Sequence, residues 1–236
     1  HQKAVCVASE LTSPALVSKF YDPEYEATHD NPDKDPYMAF EKDFMRFMLS
    51  DGAGAVLVQD HPEGICPLKI EWADMTSYAN ELPTCMFMAS ELQENGRLRS
   101  WKEFSPDEIK ERAVLVGKQD IRQLKKHIIK YWVDHIETIL AKHHIKADEI
   151  DYIIPHVSSM FFYEKLNDEI AARNIALTKE KWFTNLTSVG NIGSAAIYVA
   201  LEEFIRTKET KRGDKILLLV PESGRFSYGT VLLTVE

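Results

Sequence analysis

Cysteine is scarce. The 236 residues hold three, Cys6, Cys66 and Cys85, far apart and never in a CxxC spacing. That excludes a disulfide framework and leaves a structural zinc site without support. A free cysteine in such a chain is most often a small buried hydrophobe, which is the expectation for all three. Long apolar runs are missing too: runs such as residues 216–220 and 53–58 fall far short of the ~20 that span a bilayer. The opening His1-Gln2-Lys3 leads straight into apolar residues 4–8 without a secretory-signal pattern, so no membrane association and a reducing cytoplasm are expected. Positive charge is outnumbered, 28 Lys and Arg against 37 Asp and Glu for a net charge of −9. Repulsion from phosphate argues against a sequence-independent nucleic-acid binder. Glycine and proline, ten each, are too few for a collagenous or low-complexity chain.

What is present is 44% apolar and 28% charged residues, enough for one large or two small packed domains. Residues 4–8 read as a short core strand, and an opening so close to a strand reads as a piece whose upstream part lies elsewhere. Residues 21–42, with Pro23, Pro32 and Pro36, read as a surface loop. Ser50-Asp51-Gly52-Ala53-Gly54-Ala55 reads as a tight turn into a strand, and without a following G-K-[ST] it is no P-loop. Residues 68–72 alternate as a strand. Ile121, Leu124, Ile128, Trp132, Ile136 and Leu140 recur at three- and four-residue steps, one face of a long helix of about 24 residues. His127, His135, His143 and His144 lie on or beside it without an HExxH motif, so solvated or capping roles are expected over metal binding.

From Asp148 onward the pattern is β-α-β-α-β-β. Residues 151–155 form a strand stopped by Pro155. Ser158 or Ser159 caps a helix to about Arg173. Residues 182–186 read as a second strand, Gly190-Asn191-Ile192-Gly193 as a turn, 194–206 as a helix, and 215–220 and 228–235 as two last strands. This predicts an α/β protein with a mixed, mainly parallel sheet and helices on its faces. Ligands meet the carboxyl ends of strands in such sheets. His156 stands one residue past a strand end and Asn191 in the turn after the next strand, so both fall on one rim. A hydrogen-bonded structural histidine and an ordinary Gly-Asn turn fit the spacing as well.

Four stretches in register resemble one family. They are Asp148-Glu149-Ile150-Asp151-Tyr152-Ile153-Ile154-Pro155-His156, Gly190-Asn191-Ile192-Gly193-Ser194-Ala195-Ala196, Gly213-Asp214-Lys215-Ile216-Leu217-Leu218 and Gly224-Arg225-Phe226-Ser227-Tyr228-Gly229. They are similar to the C-terminal half of the 3-oxoacyl-ACP synthase III family. Residues 50–55 resemble that family's GDGAGA turn, and 4–10 the strand before it. The resemblance implies a thiolase-like mixed β-sheet with helices on both faces, lacking the early N-terminal half. It divides the chain into 1–75, the end of the N-terminal half, 76–118, a variable cover whose residues 78–101 shape an acyl tunnel, and 119–236, the C-terminal half.

The resemblance further implies a decarboxylative condensation of an acyl-thioester with malonyl-ACP. His156 and Asn191 match the family's catalytic His and Asn, which hold the extender's thioester carbonyl. The family's nucleophilic Cys would lie upstream of His1, and Cys6, Cys66 and Cys85 do not match it. Acyl-CoA or acyl-ACP and malonyl-ACP are the implied substrates, with no organic cofactor and no metal. Acyl carrier protein and a second copy in a homodimer are the implied partners. Arg97, Arg99 and Lys102, or Lys208, Lys211 and Arg212, are candidate basic patches for the acidic carrier, against a merely solvated face. Departures exist: the family's H-Q-A-N reads His156-Val157-Ser158-Ser159, its following Arg is Phe161, and its Gly-Gly-Gly-Phe reads Glu222-Ser223-Gly224-Arg225-Phe226. They fit a specialised relative. A non-catalytic partner subunit and an acyltransferase of the same fold are the alternatives.

Overall fold

The computed structural model describes residues 3–17, 19, 45 and 47–236; the loop expected over 21–42 lies outside the described residues. The main sheet has four strands in the order β3-β10-β9-β8: β3 (Leu68–Ser77), β8 (Tyr152–Pro155), β9 (Lys215–Glu222) and β10 (Ser227–Val235). Its alternating residues feed two cores. Ile153, Leu217, Leu219, Tyr228 and Leu232 face one side, against α2 (Ile121–Lys142) and α3 (Met160–Ala172). Ile154, Ile216, Leu218, Leu233 and Val235 face the other, against Ala200, Leu201 and Phe204 of α5 (Ala196–Thr207). The side-chain period of two thus produces helices on both faces.

The sheet is mixed, but not mainly parallel. Among the described strands only β8 and β9 pair in parallel, Tyr152 opposite Ile216 to Pro155 opposite Leu219. β10 runs antiparallel to both β9 and β3. The reason is the connection: residues 223–226 make a tight turn between β9 and β10, and so short a link can only return antiparallel. The Glu222 carboxylate braces that turn by accepting from the backbone N–H groups of Gly224 and Arg225.

The strand expected over 182–186 is reduced to one parallel bridge, Ile153 with Trp182. Phe183 N still donates to Ile153 O at 2.8 Å, but the Asn185 carbonyl accepts from Ser188 and Val189, opening a short helix, α4 (Leu186–Val189). Local helix bonds have replaced the ladder. The helix α2 matches its predicted face, burying Leu124, Ile128, Trp132, Ile136 and Leu140. At the start of α3, Ser159 is the cap residue, yet its hydroxyl makes no capping bond; its carbonyl takes Phe162 N and Tyr163 N instead.

The strand at residues 4–8 is not a core strand in this chain. Among the described residues, β1 (Lys3–Glu10) pairs only with β2 (Gly52–Gln59), antiparallel, in a two-stranded ribbon. Val5, Val7 and Leu57 are exposed on one of its faces. The other face rests on the start of α5 through Gly54, where an added Cβ would lie 2.6 Å from Tyr198 Cβ. Gly54→Ala is therefore expected to lower stability by about 1–3 kcal/mol, because neither backbone nor Cβ yields cheaply. Urea titration of the two proteins checks this, and equal midpoints would show that the ribbon does not press on α5.

Short ribbons complete the fold: β4 (Met86–Phe87) with β7 (Lys118–Gln119), and β5 (Ser90–Leu92) with β6 (Leu98–Ser100). The helix α1 (Pro106–Glu111) carries a capping box at Ser105 and Glu108. Among the described residues, no helix is long and apolar enough to cross a membrane.

The histidines of α2 are not simply solvated. His135 is fully buried, with Nδ1 3.0 Å from Thr76 Oγ1 and Nε2 2.8 Å from Thr230 Oγ1. Both threonines stand on the sheet face that α2 covers. His143, at the helix end, stacks on Trp72 with 4.0 Å between ring centroids and lies 3.0 Å from Asp74 Oδ2. Among the described residues, no group of three or more His, Cys, Asp or Glu side chains is placed to hold a metal.

Candidate active site

Proline 155 ends β8, and the next backbone N–H, that of His156, donates to Leu219 O at 2.8 Å. The last ladder bond thus fixes the residue that leaves the sheet, and its side chain stands at the strand's carboxyl end. There a small cleft, partly open to solvent, is lined by His156, Val157, Thr184, Asn185, Gly190 and Ile197, among others. The imidazole has no hydrogen-bond partner among the described residues. Desolvation by the surrounding walls lowers its pKa to about 4, so the ring is neutral at physiological pH and keeps one N–H to donate.

The lining also takes in the turn expected to carry Asn191, through Gly190. Gly190 adopts φ +83° and lines the cleft; a Cβ there would be strained and would lie 3.0 Å from Ser50 Oγ. Asn191 itself is 6% exposed and does not line the cleft. Its Oδ1 accepts from Gly193 N at 3.1 Å and its carbonyl from Ser50 N at 2.9 Å. Its Nδ2 has no partner among the described residues. The structure therefore brings His156 and the Asn191-bearing turn to one cleft, with Gly190 forming the wall.

The glycine motif at 50–55 supports this turn from behind. Ser50 holds the Asn191 carbonyl, Gly52 lies against Ile192, and Glu10 Oε1 accepts from Ser194 N at 3.0 Å. Asp51 ties the chain after β1, accepting from Thr12 N at 2.6 Å and Ser13 N at 2.8 Å; the Ser13 hydroxyl and these N–H groups hold its carboxyl below the usual range.

Thr184 and Asn185 line the cleft although sequence reasoning placed them inside a strand. The available signal was Asn185 itself, a residue that favours helix starts over strand interiors. The cysteines do not share one environment. Cys85 is buried as expected and donates to Asp120 O at 3.3 Å, but Cys66 is half-buried and Cys6 is exposed on β1. None of the three lines the cleft. The local reason for Cys6 is that, among the described residues, its strand has only one ribbon partner.

Of the basic groups, Arg97 is paired with Glu103 at 2.7 Å, and Arg99 lies 3.8 Å from Glu108 and over the Phe104 ring. Lys208, Lys211 and Arg212 follow the C-terminal end of α5, whose first residues line the cleft. A full helix length therefore separates that patch from His156.

Residues 140–235 match the family model for the C-terminal domain of 3-oxoacyl-[acyl-carrier-protein (ACP)] synthase III. A beta-ketoacyl-[acyl-carrier-protein] synthase III from Clostridium perfringens is 34% identical over 112 residues, 48% of this chain and 33% of the relative. One of the same description from Aquifex aeolicus is 31% identical over 112 residues, 48% of this chain and 34% of the relative. The matched segment thus spans about a third of these curated relatives. Among solved structures, a 3-oxoacyl-(acyl carrier protein) synthase III from Pseudomonas aeruginosa superposes with a TM-score of 0.65 at 18% identity, covering 99% of this chain and 59% of that one. A tetronic acid condensing enzyme gives 0.65 at 14% identity, with 99% and 59% covered. These likenesses show the thiolase-like fold over the chain. In sequence, residues 140–235 are thus similar to the C-terminal domain of 3-oxoacyl-[acyl-carrier-protein] synthase III.

Proposed function

We propose that the full-length protein is a condensing enzyme that joins an acyl-thioester to a malonyl-thioester with loss of carbon dioxide, and that His156 and Asn191 serve the decarboxylation step. The observation that supports this reading most is the neutral imidazole of His156, unpartnered among the described residues, at the end of β8, facing a cleft walled by Gly190, the residue before Asn191. In the reaction, the His156 N–H donates to the thioester carbonyl oxygen of the malonyl group, and the Asn191 side chain, which does not line the cleft in this structure, turns into it so that an Nδ2 N–H supplies the second donor. The bond from the methylene carbon to the carboxylate carbon breaks, carbon dioxide leaves, and the electron pair becomes an enolate whose oxygen the two donors hold. Such donors act through the charge that develops in the transition state. The enolate carbon then attacks the carbonyl of a cysteine-bound acyl group, expelling the thiolate. With none of Cys6, Cys66 and Cys85 at the cleft, that cysteine is supplied from outside the residues of this chain.

The same reading takes an acyl-CoA or acyl-ACP as donor, malonyl-ACP as extender, acyl carrier protein as partner, a homodimer as assembly and the cytoplasm as setting. It needs no metal and no organic cofactor, and it gives residues 78–101 the role of tunnel wall. The absence of a cysteine from the cleft lining favours one second reading, a non-catalytic subunit that pairs with a competent synthase.

Carbon dioxide release from malonyl-ACP by the full-length protein tests the proposal. Asn191→Ala is expected to slow it about 10²-fold, the scale of one lost oxyanion donor. Unchanged release in that variant would remove Asn191 from the role. Release only in the presence of an added synthase would favour the partner subunit.

A further inference from the structure

Asn185 faces the cleft one helical turn before Gly190 and takes no part in the chemistry above. Its Nδ2 donates to Glu203 Oε2 at 2.8 Å. A carboxylate only accepts, so this bond also fixes which way the carboxamide points. Its carbonyl accepts from Ser188 N at 3.0 Å, Val189 N at 2.9 Å and Ser188 Oγ at 3.0 Å. Those bonds form α4, and Gly190 N closes it onto Leu186 O at 2.9 Å. Glu203 lies on α5, the helix that begins just after the Asn191 turn. The bond therefore spans the mouth of a loop: one end is where the chain enters it, the other is two turns down the helix into which it exits.

We infer that Asn185, anchored by Glu203, is a positioning residue that fixes the Gly190–Asn191 turn against the cleft. This assignment rests on the proposed decarboxylation site. The physical argument is restraint. Gly190 is in a left-handed conformation at φ +83°, and a glycine hinge holds one geometry only where its flanks are tied. Beyond the hinge, Ser50 N, Gly193 N and Glu10 tie the turn. Before it, the side-chain tie is Asn185 to Glu203, in a partly buried position where the charged acceptor strengthens the bond. Loosening it displaces a donor that must meet an oxygen to within tenths of an ångström, and misplacement costs rate more than binding.

The test is a polarity swap in the full-length protein, with malonyl-CoA as probe. Asn185→Asp places two carboxylates face to face. It is expected to lower kcat for carbon dioxide release about tenfold, with KM within about twofold. Amide hydrogen exchange across 186–193 should speed up about tenfold. Glu203→Gln keeps an acceptor for Asn185 and should cost about threefold or less in kcat. The double variant restores a bond of reversed polarity, Gln amide to Asp carboxylate, and should recover both kcat and exchange protection to within about threefold of the parent. A double variant no better than Asn185→Asp, or unchanged exchange across 186–193 in Asn185→Asp, overturns the assignment. Should the parent release no carbon dioxide, the proposed function falls, and the exchange measurement by itself decides the restraint.

Discussion

His156→Ala in the full-length protein is expected to cut carbon dioxide release from a malonyl-thioester by about 10²–10³-fold while leaving acylation of the protein measurable. The imidazole is the group in the cleft whose charge state and position both suit an oxyanion donor. Its pKa of about 4 keeps it neutral. Its backbone is pinned by the last sheet bond to Leu219 O, so little is reorganised when charge develops on the substrate. Alanine removes the donor and lets water reach the carbonyl, while the sheet bond survives because it uses the main chain. The acylation step uses a different nucleophile, so the two steps should separate. Trapped acyl-enzyme measured by intact mass, beside carbon dioxide release, checks this. Loss of both steps together would show that His156 acts in acylation or in folding instead.

The second large effect is on stability in acid. His135 and His156 both have folded-state pKa values of about 4, each lowered first by desolvation, against about 6.5 for the unfolded chain. The unfolded state therefore binds more protons between these values. Stability is fully present above pH 6.5 and is lost as pH falls from 6.5 toward 4, by about 3 kcal/mol for each histidine. That is a large part of the 5–15 kcal/mol typical of a folded domain. Asp74 acts in a lower window: hydrogen bonds from Lys142 and then His143 lower its pKa to about 2, so its contribution is lost only as pH drops from 3.8 toward 2. Urea-unfolding free energies measured from pH 7.5 to 4.5 should fall steeply, and His135→Phe should remove about half of the slope by removing one titrating ring. A flat profile over that range would mean that the rings are hydrated in the folded protein.

The two histidines also mark how far residues speak for themselves. His156 was readable because a strand, a proline and a rim are local features. His135 was not: its partners Thr76 and Thr230 lie 59 and 95 residues away, and nothing in the helix pattern separates it from His127. The helix α2 was legible because six apolar residues at helical spacing can bury only one face. Residues 182–186 read as a strand because Trp182 and Phe183 have strand propensity, but the Phe183 ring packs on Phe204 at 5.5 Å and the carbonyl of Asn185 starts a helix, and these local gains outweigh the ladder. The direction of the strands was misread because alternation of elements is common to parallel sheets, whereas the four-residue link after Glu222 determines the geometry.

By itself the sequence determined the two-faced strands, the long helix and the strand end from which His156 departs, since all of these depend on neighbours within a few positions. Only the tertiary structure decided that Gly190 rather than Asn191 walls the cleft, that Ser50 holds the turn from across the chain, and that Asn185 is tied to Glu203. Those outcomes depend on hydrogen bonds between segments far apart in the chain, and such partners exist only once the sheet has set the helices and turns side by side.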